Sequence, residues 1–218
     1  MNKKYLACFE YDKIYHVYNK ANEKELLFRG DNNYYYFLAL FSKYLSPLVD
    51  LYAWSLLPNH FHLLVKVKPR EEIRKNILTI DGQKITKTER MYLNVENVDL
   101  LLEKAFTRLF IAYSMGFNRE SERRGNLFYR TFRRVEIQKD GHFTQALIYI
   151  HANGQKHKLV TSFTKYKCSS YHTILSKAPT KLLRQEVIDW FGGIDRFIEI
   201  QRSNSAFYYS FDGSIEGD

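Results

Sequence analysis

The sequence predicts an α+β fold built on one antiparallel sheet, and three observations support this prediction. Apolar and polar residues alternate with the two-residue period of strands in four segments, and apolar residues recur at helical spacing in two segments between them. Only Pro58-Asn59 separates two of the strands, as expected for an antiparallel hairpin. The order is strand, helix, strand, strand, helix, strand, which is that of a ferredoxin-like sheet with both helices on one face.

The first four elements lie before residue 68. KIYHVYNKA (13–21) alternates as a first strand, and Asp31-Asn32-Asn33 is expected to cap a helix through YYYFLALFSKYL (34–45). LVDLYAWSLL (48–57) is typical of a second strand, and FHLLVKV (61–67) of a third that runs back from the turn.

The next segment, residues 68–94, is polar, and we interpret it as an insertion reaching to about residue 95. Within it, ILTIDGQKIT (77–86) predicts a small hairpin around Asp81-Gly82. Asn97 then caps a long helix, VDLLLEKAFTRLFIAYSMGF (98–117).

The remaining elements complete the sheet and add to it. GNLFYRTFRRVEIQ (125–138) predicts a turn and a fourth strand, and HFTQALIYIHANGQ (142–155) a further helix. KLLRQEVIDWFG (181–192) predicts one helix in the tail, ended by Gly192-Gly193. We therefore expect a domain over residues 1–155 and a helical extension over 156–218 that packs on it.

Composition limits the functional classes. The 218 residues are 45% hydrophobic and 26% charged, which is typical of one globular domain, and no apolar run approaches the ~18 residues that span a bilayer. Cys8 and Cys168 are too few for a disulfide framework or a zinc cluster, so we expect a cytoplasmic protein. Lys and Arg outnumber Asp and Glu by 33 to 24, a formal charge of +9, which favours nucleic acid as partner before a membrane surface.

His60 and His62 are one residue apart at the start of the third strand. Side chains on a strand alternate faces, so both imidazoles lie on one face and Phe61 on the other. Two neutral imidazoles side by side can bind a metal ion. A bare pair of this kind more often consists of core-edge histidines that hydrogen-bond to neighbouring backbone.

Tyr149 and Asn153 are four residues apart in ALIYIHANGQ and so lie on one face of the predicted helix. A tyrosine can attack phosphorus, and a side-chain amide can complete a metal's ligand shell. If this face packs against the histidine pair, His60, His62 and Asn153 would hold a cation beside a phenol. Taken alone, a tyrosine at this position is more often a packing residue, so the spacing matters only together with the histidine pair.

Together these segments resemble a known family. LPNHFHLLV followed by YIHAN is similar to the single-tyrosine HUH transposases, most closely the REP-associated tyrosine transposases of the insertion-sequence-200-like family. IYHVYNKANEKELLF, GNLFYRTFRRVEI and YKCSSYHTIL also match that family's pattern, so the resemblance covers roughly residues 13 to 175. The family usually has proline after the asparagine, where this chain has Gly154.

The resemblance implies a ferredoxin-like fold, Mg²⁺ or Mn²⁺ bound by His60, His62 and Asn153, and Tyr149 as nucleophile. It further implies that the tyrosine attacks single-stranded DNA with hairpin character, forms a 5′-phosphotyrosine and releases a 3′-hydroxyl. A 3′-hydroxyl that attacks this linkage rejoins the strands without ATP. The family includes monomers and homodimers.

Basic and aromatic residues are interleaved in LFYRTFRRVEI. On a strand, Arg130 and Arg134 share a face, whereas Arg133 shares the other with Tyr129. One set should reach solvent, where arginine pairs with phosphate and an exposed ring stacks on a base. All four are DNA-binding candidates.

Several alternatives stay open. Tyr113 and Tyr129 are rival nucleophiles by residue type, and Gln145 is a rival amide four residues before Tyr149. The remaining histidines are interpreted as structural or phosphate-contacting. The chain could also be a hairpin- or single-strand-binding protein that has lost catalysis. An unrelated metal hydrolase would need a carboxylate near the histidines, and the sequence around them has none.

Overall fold

A computed structural model describes residues 6–80, 97–129, 131–138 and 140–205. Its strands and helices, numbered in chain order, are β1 (Ile14–Lys20), α1 (Asp31–Tyr44), β2 (Val49–Leu57), β3 (His60–Val67), α2 (Arg70–Ile80), α3 (Val98–Glu120), β4 (Arg133–Glu136), α4 (Asp140–Lys156), α5 (Tyr171–Leu175), α6 (Arg184–Trp190) and α7 (Ile194–Asn204). A 3₁₀ turn, Phe163–Lys165, lies between α4 and α5.

The four strands form one sheet in the order β2-β3-β1-β4. Every neighbouring pair is antiparallel. The predicted ferredoxin-like α+β fold is therefore confirmed. β3 is central and its side chains are buried on both faces, since helices cover the sheet on both sides.

Helices α1 and α3 cover one face with aromatic side chains. Phe37 of α1 lies 5.0 Å from Phe61 of β3 and 5.4 Å from Tyr113 of α3, measured between ring centroids. The helices approach closely because α3 has Gly116, where an added Cβ would stand 2.6 Å from the ring of Tyr36. Helix α4 packs on the other face, against β2 and β3.

The helix ends were predicted with mixed success. Asn97 caps α3 as expected, since its Oδ1 accepts hydrogen bonds from the backbone N–H groups of Asp99 and Leu100. The predicted cap of α1 is wrong, because Gly30 is the N-cap. Asp31 lies in the first turn, where the positive end of the helix dipole stabilises a carboxylate.

The predicted hairpin at 77–86 is also wrong over its first four residues, which belong to α2. Two glutamates lie in the first turn of this helix, where acidic side chains favour helix formation. This helical preference outweighs the strand preference of the short apolar run that follows. Asp81-Gly82 lies outside the described residues.

The tail contains α5, α6 and α7 where one helix was predicted. Gly192 and Gly193 end α6 as expected, with φ values of 78° and 121° that favour glycine. The tail also covers the edge strand β2, because Leu56 N–H donates to Cys168 O and Ser170 N–H to Trp54 O, each at 2.9 Å. Of the helices within the described residues, none is both long and apolar enough to cross a membrane.

Candidate active site

Strand β3 places His60 and His62 on the face of the sheet that α4 covers. Their ring centroids are 5.1 Å apart, and the rings are nearly perpendicular. His62 is buried and His60 half-buried. Phe61 points to the opposite face, as the strand period requires.

Strand β1 contributes a third histidine that the sequence analysis did not single out. His16 is fully buried, and a hydrogen bond of 2.9 Å joins its Nε2 to His62 Nδ1. The alternation of KIYHVYNK and the predicted strand order, with β1 beside β3, were the signals that could have identified it. Burial, followed by the nearby imidazoles of His16 and His60, lowers the pKa of His62 well below its usual value, so its ring is neutral.

One face of helix α4 packs against the histidine pair. The ring centroid of Tyr149 is 5.5 Å from that of His62, and His157, just past the helix end, is 4.7 Å from His60. Asn153 lies between them, one turn from each. The structure thus brings together His60, His62, Tyr149 and Asn153, the four residues that the sequence singled out as a possible centre.

Asn153 is fully buried in the middle of this face. Its Nδ2 donates to the backbone oxygen of Tyr149 at 3.0 Å, one turn back along α4. Its Oδ1 receives no hydrogen bond from the part of the chain that the structure describes. A buried amide oxygen without a donor costs about 1–3 kcal/mol, so its presence here favours a role in binding.

The donor set fits a divalent cation if the amide is included. Among residues 6–80, 97–129, 131–138 and 140–205, no three His, Cys, Asp or Glu side chains are grouped so that they could hold a metal ion. The imidazoles of His60 and His62, of which that of His62 is neutral, and the unsatisfied carbonyl oxygen of Asn153 are nitrogen and oxygen donors suited to such an ion.

Lysine is the charged group next to the candidate nucleophile. Lys156 Nζ lies 3.4 Å from Tyr149 Oη, to which it donates, and 4.9 Å from the centroid of the same ring. Tyr149 is only 1% exposed, and Lys156 is half-buried in the last turn of α4. This lysine was not among the predicted site residues, although it follows Tyr149 by two helical turns.

The rival candidates lie elsewhere. Tyr113 is buried on the opposite side of the sheet, where its hydroxyl donates to the backbone oxygen of Leu27 and burial raises its pKa. Tyr129 is 48% exposed near the end of β1. Gln145 is half-buried one turn before Tyr149 on α4.

The DNA-binding candidates divide between the two faces of β4. Arg134 is buried at 4% exposure, and its guanidinium donates to Asp99, Glu103 and the backbone oxygen of Ala7. A role in DNA contact does not fit this burial, and we interpret Arg134 as a structural residue that joins β4 to α3. Arg130 lies outside the described residues.

Arg133 lies on the histidine face. In the sheet register it pairs with Tyr18, and Tyr18 pairs with His62, so these three side chains form one row across β4, β1 and β3. At the end of β1, Lys20 Nζ stands 5.8 Å from the ring centroid of the exposed Tyr129. Basic and aromatic groups therefore run from the histidine pair to the edge of the sheet.

The tail fixes the position of α4. His151 is fully buried, with its Nε2 bonded to Ser170 Oγ at 2.8 Å and its Nδ1 to Gln201 Oε1 at 3.3 Å. Burial lowers its pKa to about 3. Gly154 is needed for close approach, because an added Cβ would stand 2.3 Å from Cγ of Tyr166. This contact gives a structural reason for glycine at this position.

Comparison with known proteins identifies the family. The family model described as "Transposase IS200 like" matches residues 10–124, more than half of the chain. The chain therefore belongs to the IS200-like transposases, a class of enzymes that act on DNA.

One similar solved structure is that of a REP-associated tyrosine transposase bound to a REP hairpin. It is 14% identical, with a TM-score of 0.52 over 79% of this chain and 86% of that chain. This likeness establishes a shared fold. No curated protein sequence matches the chain.

Proposed function

We propose that this transposase cleaves and rejoins single-stranded DNA beside a hairpin, through a 5′-phosphotyrosine on Tyr149 and with a divalent metal ion. The observation that carries this proposal is the packing of one face of α4 on the histidine pair, with the Tyr149 ring 5.5 Å from that of His62. The fold shared with a hairpin-bound transposase supports the choice of DNA.

His60, His62 and Asn153 would hold the ion, Mg²⁺ or Mn²⁺. His62 Nδ1 is bonded to His16 Nε2, and His60 Nδ1 lies 2.7 Å from Asn59 Oδ1. Each histidine would therefore bind through Nε2 while its Nδ1–H donates to this neighbour, which fixes the tautomer and the ring orientation. Asn153 would contribute Oδ1. A cation bound here would polarise the phosphodiester and stabilise charge on the leaving oxygen.

Tyr149 supplies the attacking oxygen. A bond forms between its Oη and phosphorus while the bond from phosphorus to the 3′-oxygen breaks. The phenolic proton passes to solvent, and the departing 3′-oxygen takes up a proton to become a hydroxyl. Rejoining is the reverse: a 3′-hydroxyl attacks the phosphotyrosine and releases the phenol. The bond energy is kept in the covalent intermediate.

The substrate strand would follow Arg133 and Lys20 on the histidine face and the exposed ring of Tyr129. Arginine and lysine neutralise phosphates, and exposed rings stack on unpaired bases in any sequence. This combination favours a single strand over a duplex, whose bases are already stacked. The net charge of +9 favours the same partner.

A single chain brings the histidines and the tyrosine together, because α4 packs on the sheet of its own chain. We therefore propose that a monomer suffices for the reaction. A homodimer that exchanges α4 without the tail would have to break the contacts of His151 and Gly154 with Ser170, Gln201 and Tyr166.

The test is incubation of the protein with hairpin oligonucleotides that carry single-stranded extensions, with Mn²⁺ or with EDTA. We expect a denaturant-resistant protein–DNA adduct with Mn²⁺ alone, mapped by mass spectrometry to Tyr149. Blunt duplex of the same sequence is the matched control. Tight hairpin binding without any adduct would instead identify a catalytically inactive binding protein, and an adduct on Tyr113 or Tyr129 would overturn the assignment.

A further inference from the structure

Among the groups described around Tyr149, Lys156 is the one that carries charge beside the phenol oxygen. His62 is neutral because burial lowers its pKa, and the charge of Lys156 is among the further causes of that shift. Asn153 is a neutral amide. The ammonium stands 3.4 Å from Tyr149 Oη, within hydrogen-bond reach of the atom that would attack phosphorus.

The helix accounts for this placement. Lys156 follows Tyr149 by seven residues, which is two turns, so the two side chains share one face of α4. Lys156 is in the last turn, where the negative end of the helix dipole favours a cation. Its stem passes over the phenol ring, with Nζ 4.9 Å from the ring centroid.

A phosphodiester ready for attack brings its phosphorus to about 3–3.5 Å from the attacking oxygen. The non-bridging oxygens of that phosphodiester would then lie within reach of the Lys156 ammonium, which already contacts Tyr149 Oη. We propose that Lys156 is a catalytic residue that binds a non-bridging oxygen of the scissile phosphate. This inference rests on the proposed function of Tyr149.

The chemical need for the cation arises in the transition state. Bond formation from Oη to phosphorus and bond breaking from phosphorus to the 3′-oxygen concentrate negative charge on the non-bridging oxygens. Lys156 transfers no proton and changes no bond; its ammonium hydrogen-bonds to this charge. Because rejoining passes through the same transition state, Lys156 accelerates both directions. A positioned cation is effective here because the surrounding site is buried.

The experiment compares single-turnover rates of adduct formation, with hairpin DNA and Mn²⁺ both saturating, for the wild type and for Lys156→Met, Lys156→Arg and Lys158→Met. Removing a positioned donor of this kind costs about 10²-fold in rate, so we expect that loss in Lys156→Met. Lys156→Arg keeps the charge and should recover most of the rate. Lys158 is exposed just beyond the helix, so its variant should match the wild type.

Three further readings distinguish catalysis from a structural role. In Lys156→Met the protein should stay folded at the assay temperature without loss of Mn²⁺ affinity, and the rate of rejoining from purified adduct should fall by a similar factor. A Lys156→Met rate within threefold of the wild type would overturn the inference while leaving Tyr149 as nucleophile. So would a loss that comes with weakened Mn²⁺ binding or with unfolding at the assay temperature. Absence of adduct in the wild type would instead overturn the proposed function.

Discussion

The two faces of the sheet differ in chemistry although the same strands form both. On the face covered by α1 and α3, Phe61 packs among aromatic rings. One residue further along β3, His62 points to the face covered by α4 and meets His16 and Tyr149. Both faces are buried, so solvent exposure does not explain the difference.

The polar face is costly for folding. Burying an imidazole or an amide lowers stability unless each polar atom finds a partner, and Asn153 Oδ1 finds none among the described residues. On the aromatic face the buried polar groups are paired: the Tyr113 hydroxyl is bonded to Leu27 O, and the Arg134 guanidinium to Asp99 and Glu103. Departures from a well-satisfied core are expected at functional sites, and the α4 face is where this chain departs.

The largest contrast is expected between the two buried tyrosines. Tyr149→Phe removes one oxygen from a ring that stays packed, so adduct formation should disappear while hairpin binding and the melting temperature remain. Tyr113→Phe instead leaves Leu27 O without its donor, which should cost about 1–3 kcal/mol in the free energy of unfolding and keep the adduct. Denaturing gels and urea unfolding measure the two effects. An adduct that persists in Tyr149→Phe would place the nucleophile elsewhere.

Neighbouring residues of β3 give the second contrast. His62→Ala should lose the adduct because a metal ligand is missing, and Mn²⁺ should no longer raise the melting temperature. Phe61→Leu, on the other face, should lower stability by about 1 kcal/mol or more, since a buried ring is replaced by a smaller side chain. It should retain Mn²⁺-dependent adduct formation. Equal stabilisation of His62→Ala and wild type by Mn²⁺ would contradict the metal site.

A smaller effect is expected at Asn153. Asn153→Ala removes one of three ligands, so we expect about a tenfold weaker Mn²⁺ affinity and a slower reaction, in line with losses for groups around a metal. Without metal, the variant should be close to the wild type in stability, because removal of a buried oxygen without a donor offsets the loss of the Nδ2 hydrogen bond to Tyr149 O.

Gly154→Ala is the matched control for Asn153→Ala. Its Cβ would overlap the Tyr166 ring and should cost about 1–3 kcal/mol of stability. Calorimetry with and without Mn²⁺ separates the two variants. An Asn153→Ala protein that is less stable without metal would show that the amide is structural.

The sequence predicted the sheet, and it predicted which candidate site residues share a face, because both depend on local periods. Alternation placed His60 and His62 on one face, and the four-residue spacing placed Tyr149 and Asn153 on one face of a helix. Whether these two faces meet depends on tertiary packing, and the resemblance to known transposases suggested that they do. His16 and Lys156 were missed since only folding brings them next to His62 and Tyr149.

Other errors have equally physical causes. A short apolar run such as ILTI is compatible with strand or helix, and only the preceding turn of α2 decides between them. The alternation of residues along β4 could not predict which face reaches solvent, because both faces carry arginine and aromatic residues. The carboxylates of Asp99 and Glu103 on α3, remote in sequence, make Arg134 the buried member.

The smallest effect is expected for the adjacent arginines of β4, which extend the contrast between faces to DNA binding. Arg133→Ala removes one phosphate contact, so hairpin affinity should fall several-fold at low salt, and the slope of log affinity against log salt should decrease by about one. Arg134→Ala should leave that slope unchanged. Arg134→Ala should instead lower the free energy of unfolding by about 2–3 kcal/mol, because Asp99 and Ala7 O lose their buried guanidinium donor. Glu103 also loses its partner, but it is partly exposed and can be hydrated. Fluorescence anisotropy titrations at several salt concentrations, together with urea unfolding, measure both quantities. A reduced salt slope in Arg134→Ala with unchanged stability would reverse the assignment of the two faces.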